Sequence, residues 1–174
     1  MTTNKSLRVL VGICVISACV LGSGMQARAE TLHYKVYTYV TKWERTRIDD
    51  VEGHTVAYGT RGAFWVFDNG EVATTRSVVT NDMMKGAGSF MQYTTVKFED
   101  GSTILYKAQG TTGGTATGSS GSAAMTSEII KGTGRFEGIT GTTSSKLKYL
   151  PVPPGEAAQE GYGEGTITYT LPSK

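Results

Sequence analysis

Beyond Glu30, the apolar positions of this chain fall in short alternating or aromatic-rich runs separated by turn residues, and no window carries a 3.6-residue apolar period. That pattern predicts an all-β chain. The final run, GTITYTL, is the most regular: Ile167, Tyr169 and Leu171 share one face, and Thr166, Thr168 and Thr170 share the other. Threonine suits this place because its branched Cβ packs on a pleated surface. Two earlier segments, VFDNGEV (66–72) and KFEDGST (97–103), each place a glycine third in a short polar loop. This is the pattern of a type I turn closed by a left-handed glycine. In the second segment such a turn pairs Val96 with Ile104 and Thr94 with Tyr106. Phe98, Val96, Ile104 and Tyr106 then gather on one face, whereas a two-residue Asp-Gly turn scatters them. Strands are predicted at 31–43, 55–67, 72–80, 90–98, 103–109, 125–130, 142–150 and 165–171. A loop or long hairpin tip rich in Gly, Thr and Ser follows at 110–124, and a second loop, opened by Pro151-Val152-Pro153-Pro154, spans 151–163. About eight strands is the number at which an antiparallel sheet closes into a barrel, and an eight-stranded antiparallel barrel is the expected fold.

The first thirty residues follow a different pattern. Lys5 and Arg8 precede an apolar run from Val9 to Leu21, and Ala27-Arg28-Ala29 supplies an A-x-A cleavage site. That layout predicts a secretory signal at 1–29 and one barrel domain at 30–174. The run is shorter than the roughly 20 apolar residues of a membrane span. Ile16-Ser17-Ala18-Cys19 also has the form of a lipobox, so the alternative to a freely secreted or periplasmic protein is a lipoprotein anchored through Cys19. Cleavage after Ala29 removes Cys14 and Cys19, and with them any disulfide, thiol nucleophile or cysteine metal site. It also lowers Lys plus Arg from 17 to 14 against 15 Asp plus Glu, so the net charge changes from +2 to −1. No basic stripe of the kind that binds nucleic acid remains.

One stretch, IIKGTGRFEGITG (129–141), holds four glycines and invites comparison with phosphate loops. It lacks the G-x-x-x-x-G-K-[ST] string, and Gly132, Gly134 and Gly138 do not have dinucleotide-fingerprint spacing. No nucleotide cofactor is expected. The reading that fits is strand, turn, strand. Ile129 and Ile130 end one strand, Gly132-Thr133-Gly134 turn the chain, and Phe136 and Ile139 are buried anchors. Gly138 and Gly141 permit a bulge or close backbone approach. This stretch resembles the GGTGxFRxARG segment of plant dirigent proteins. FEDGSTILYKAQG (98–110), upstream in the same order, resembles their YNGSTLxVxG segment. The resemblance extends to the allene oxide cyclase-like barrels and to small secreted bacterial proteins of that type. It implies an eight-stranded barrel, often a homotrimer, with an apolar lumen that holds a reactive small molecule in one conformation. Such a lumen acts by orientation. At the positions of two dirigent arginines this chain has Thr140 and Glu137, and the cyclase cysteine has no counterpart after Ala29.

Few other residues suggest chemistry. His33 lies near the expected new N-terminus and His54 falls in an expected loop; neither comes with a carboxylate or a second histidine at ligand spacing, and no metal site is expected. No G-x-S-x-G elbow is present. Glu44, in Trp43-Glu44-Arg45 at the end of an aromatic strand, is the candidate acid or base if it is buried at a barrel mouth. Otherwise it pairs with Arg45 or Arg47 at the surface. Tyr37, Trp43, Phe64, Tyr93 and Tyr106 are the candidate lumen lining for a small apolar or aromatic ligand, unless they are plain core. Two functions fit. One is a lumen that binds such a molecule and steers its cyclisation or coupling. The other is a non-catalytic envelope module used for binding or assembly. For the leader, the two readings place the mature N-terminus at Glu30 or at Cys19. The intact mass of the exported protein separates them, and a start at Glu30 removes the lipoprotein alternative.

Overall fold

The computed structural model describes residues 29–113, 121–151 and 159–173. Residues 1–28 of the expected signal, Cys19 among them, lie outside the described residues, as do positions 114–120 and 152–158 of the two expected loops. Eight strands follow one another: β1 (Glu30–Arg47), β2 (His54–Phe67), β3 (Val72–Met84), β4 (Ala87–Phe98), β5 (Thr103–Gly113), β6 (Gly121–Thr133), β7 (Thr140–Tyr149) and β8 (Gly161–Thr170), with one 3₁₀ turn at Gly134–Phe136. Each strand pairs antiparallel with its neighbours in sequence, and β1 pairs with β8, so the sheet is a closed barrel. Closure leaves no edge strand. The seam carries side-chain bonds as well: the Tyr169 hydroxyl donates to Glu30 Oε2 at 2.6 Å, and Thr31 and Thr168 meet at 3.2 Å.

The two hairpins have the expected turns. Gly70 and Gly101 have φ of 85° and 84°, their N–H groups donate to the carbonyls of Phe67 and Phe98, and Val96 lies opposite Ile104 and Thr94 opposite Tyr106. Phe98, Val96, Ile104 and Tyr106 are all buried. Other elements run longer than the apolar pattern indicates. β5 extends to Gly113 and β6 starts at Gly121, so much of the expected 110–124 loop is strand. Thr111 and Thr112 pair with Ser89 and Gly88, and Gly121 pairs with Tyr149. Ladder hydrogen bonds use only the backbone, so small residues extend a strand when both neighbours are present.

Aromatic side chains fill one end of the interior. Tyr34 stacks on Trp65 with centroids 3.8 Å apart, and the contacts continue through Phe67, Phe98 and Phe136 to Tyr169. Phe136, on the 3₁₀ turn, closes this end like a plug and is 2% exposed, and Ile139 is buried beside it. β6 runs on to Thr133, past the Ile130 limit expected for it, and the turn follows directly. Arg135 covers the plug, with its guanidinium 4.8 Å from the ring centroids of both Phe98 and Phe136, and pairs with Glu71 and, at 3.6 Å, Asp100. Rings of this size fit in an eight-stranded barrel because β8 turns Gly161, Gly163 and Gly165 inward. A Cβ at any of them would strike Tyr149, Leu147 or Tyr34 respectively. Removing the plug with Phe136→Ala should lower unfolding free energy by about 3–5 kcal/mol. Urea denaturation checks this, and a loss below about 1 kcal/mol would show that the closed end does not depend on the ring.

Candidate functional site

Above the aromatic end, the inward positions change character. Thr38 on β1, Arg61 on β2, Ser77 and Asn81 on β3, Gln92 and Thr94 on β4, and Thr143 and Ser145 on β7 face the lumen in place of large apolar groups. Several satisfy one another. The Thr38 hydroxyl donates to the Gly62 carbonyl at 3.2 Å, Ser77 and Thr94 bond at 2.8 Å, and Ser127 bonds Thr143. Gln92 Nε2 donates to the Met125 sulfur at 3.3 Å.

Four polar atoms remain without a hydrogen-bond partner among the described residues: Tyr34 Oη, Arg61 Nε, Asn81 Oδ1 and Ser145 Oγ. All four belong to residues lining one cavity of about 50 Å³. Trp43, Phe90, Met125, Leu147 and Tyr149 supply apolar surface to it. Buried polar groups are nearly always paired, so four unpaired side-chain atoms on residues around a single space set this layer apart from the aromatic end. Burial pushes the Tyr34 hydroxyl far above the ordinary phenol range, and Tyr106 adds to this; Ser145 and Thr143 pull the other way, although no bond to either has ordinary geometry. Burial likewise pushes Tyr106 up to about 12, against the pull of Thr94 and Gln92. Both phenols therefore stay neutral.

The charge in this space belongs to Arg61. Its Nη2 donates to the Gln159 carbonyl at 3.2 Å, its Nη1 lies 3.5 Å from the Tyr149 hydroxyl, and its guanidinium carbon sits 4.9 Å from the centre of the Tyr149 ring. Among the described residues no other one lining the cavity is charged.

The residues singled out from sequence are distributed differently than expected. Trp43 and Tyr106 line the cavity. Tyr37, Phe64 and Tyr93 are 41%, 47% and 44% exposed and point away from the lumen. The inward phase on β1 is Tyr34, Val36 and Thr38, which puts Tyr37 outside. A bulge between Val40 and Lys42 then shifts the phase and brings Trp43 in. Phe64 and Tyr93 stand between inward neighbours Ala63 and Trp65, and Gln92 and Thr94. Glu44 is not at a buried mouth. Its side chain is 63% exposed and pairs with Lys42 at 2.7 Å, not with Arg45 or Arg47. Arg61, Tyr34, Asn81, Gln92, Ser145 and Tyr149 were not singled out, yet strand parity was a usable signal, since Arg61 shares the odd phase of Trp65 and Phe67.

His54 is not the loop histidine without a carboxylate that the sequence pattern suggests, because the β1–β2 turn brings Asp50 to it and strand pairing brings Asp82. It opens β2, and its Nδ1–H donates to Asp50 Oδ1 at 2.6 Å while its Nε2–H donates to Asp82 Oδ1 at 2.8 Å. Two donated bonds require the protonated ring. These bonds, to Asp50 and then Asp82, raise its pKa, and His54 in turn holds Asp50 low. The clamp fastens the β1–β2 turn to β3. Among the described residues no cluster of three His, Cys, Asp or Glu is arranged to hold a metal ion.

No protein-family model matches the chain, and no curated protein matches it. Its structural neighbours include two solved dirigent proteins, the family whose segments the sequence resembles. The pterocarpan synthase dirigent protein GePTS1 aligns over 84% of this chain and 93% of its own at 14% identity, with a TM-score of 0.47. The pterocarpan synthase dirigent protein PsPTS1 aligns over 84% and 97% at 14% identity, with a TM-score of 0.46.

The histidine clamp makes stability depend on pH in a known direction. The folded pKa of His54 lies above its unfolded value of about 6.5, so its contribution is complete below that pH and is lost as pH rises through the folded value. Denaturation midpoints measured upward from about pH 6 should fall in the native chain and stay flat in His54→Gln. An equal fall in both would show that the clamp is not the source.

Proposed function

We propose that the barrel binds one small molecule through the open half of its lumen and holds it in a fixed orientation. The observation that carries this reading is that every partnerless buried side-chain polar atom among the described residues belongs to a residue lining one cavity. A space of about 50 Å³ takes a few waters or a compact polar head group, well short of the few hundred Å³ of a drug-sized site. The polar end of the ligand therefore enters the lumen, while its apolar or aromatic body rests among Trp43, Phe90 and Tyr149. Fixing a flexible molecule in this way is the condition for steering a cyclisation or coupling. The leader favours a place of action outside the cytoplasm.

A second reading is supported by the small size of the cavity and by aromatic exposure on the outer wall, where Tyr37 and Tyr39 lie 6.5 Å apart and Tyr39 and Phe64 6.1 Å apart. On that reading the barrel is a non-catalytic module that associates through its wall, with itself as a homotrimer or with an envelope partner.

Tryptophan emission distinguishes the two. The chain has two tryptophans, Trp43 and Trp65, and both line the cavity. Titration with 3-phenylpropionate or its amide should produce a saturable change in emission, abolished by Ser145→Leu, which fills the lumen. A flat response to both compounds, or a response that survives in a folded Ser145→Leu variant, favours the assembly module.

A further inference from the structure

We propose that the ligand of this lumen carries an oxyanion, best a carboxylate, and that Arg61 selects it. The inference rests on the lumen-binding reading and adds the chemical class of the ligand. Arg61 is placed inward by the same strand phase that buries Ala63, Trp65 and Phe67, so its position is fixed by the barrel and not by a mobile surface loop. It is half-buried, and the other described residues around the cavity are neutral. Its register partners, Val40 on β1 and Ser77 on β3, provide no carboxylate. A guanidinium removed from water is normally paired with an anion, because neutral acceptors do not replace its hydration. The groups that do contact it, the Tyr149 ring and the Gln159 carbonyl, fix its plane without neutralising it, and Nε is left with no acceptor.

The surroundings suit a carboxylate in particular. A planar guanidinium presents parallel N–H groups that match a carboxylate in two bonds, and Nε, which has no acceptor, is one donor of such an edge still unengaged. Ser145 and Tyr34 add hydroxyls without partners, both more than nine-tenths buried, as further donors. Asn81 Oδ1, also unpaired, suits a hydroxyl or amide on the same ligand.

The experiment compares two probes of equal size, the anionic 3-phenylpropionate and the neutral 3-phenylpropionamide, by tryptophan emission in the native chain, in Arg61→Gln and in Arg61→Lys. Charge-assisted hydrogen bonds predict a preference for the carboxylate of about tenfold to a hundredfold in the native chain. That preference should fall to within about threefold in Arg61→Gln, with amide affinity little changed, and be intermediate in Arg61→Lys, which keeps the charge but loses the fork. Circular dichroism confirms that each variant folds. Equal affinity for the two probes in the native chain overturns the inference while leaving lumen binding intact. A carboxylate preference that persists in folded Arg61→Gln assigns selection to another group and also overturns it. Binding of neither probe removes the lumen-binding reading and this inference together.

Discussion

Pairing of β1 with β8 is the constraint on which the rest of the molecule depends. Once the first and last strands share a ladder, the interior has a fixed girth, and every inward side chain competes for the same limited space. The inward glycines of β8 follow from this. They lie on the seam, where Gly165 accommodates the Tyr34 ring and Gly161 accommodates Tyr149. One of these rings belongs to the aromatic core and the other to the Arg61 site, so the seam supports both halves of the barrel. The bond from Tyr169 to Glu30 closes the same seam at its rim, and burial together with that bond holds the Tyr169 hydroxyl up at about 12.

The interior is polarised along its axis. At one end, Phe67 stacks on Phe98, Phe136 tilts against Phe98 and meets Tyr169 edge to face, no buried side-chain polar atom of these described residues is left unpaired, and Arg135 seals them from outside through ring contacts and two carboxylates. Towards the other end, hydroxyls, amides and a guanidinium replace the rings. The contrast between the two arginines is informative. Arg135 has its counter-charges from Glu71 and Asp100 at the surface, while Arg61 sits inside with a carbonyl and a tyrosine. The same residue type therefore closes one end of the barrel and gives the other its charge.

Much of this was legible in the chain before any coordinates. Glycine in third place of each hairpin loop, combined with the need to keep Phe98, Val96, Ile104 and Tyr106 on one face, was enough to set register, because a slip of one residue inverts every side chain. Phe136 and Ile139 were recognisable as anchors since they are the large apolar residues of a glycine-rich stretch. The lining was less legible. Aromatic content drew attention to Tyr37, Phe64 and Tyr93, yet parity places all three on the outer wall. The phase shift that turns Trp43 inward comes from a bulge, which has no residue-type marker here. Asp82 approaches His54 only because β3 continues to Met84, four residues beyond its apparent end. Arg61 was passed over because hydropathy assigns a charged residue to the surface, whereas strand phase assigns it to the interior.

That conflict between hydropathy and phase is the strongest reason to treat the lumen as a site. A barrel that serves only as a scaffold is most stable when side chains fill it with apolar volume. Removing a guanidinium from water costs several kcal/mol before compensation, and the neutral groups around Arg61 return only part of that. Tyr34, Asn81 and Ser145 each add a desolvated atom with no partner, at a cost of about 1–3 kcal/mol apiece. Leucine or valine at the same inward positions avoids these costs, and the opposite end of the same barrel shows that the fold accepts complete apolar packing. A polar layer confined to one half, centred on one cation and bounded by both tryptophans, lowers stability without improving closure, register or packing. Local violations of this kind are expected where function requires them, and the proposed ligand, an oxyanion that also carries one donor for Asn81 Oδ1, accounts for all four unpaired atoms at once.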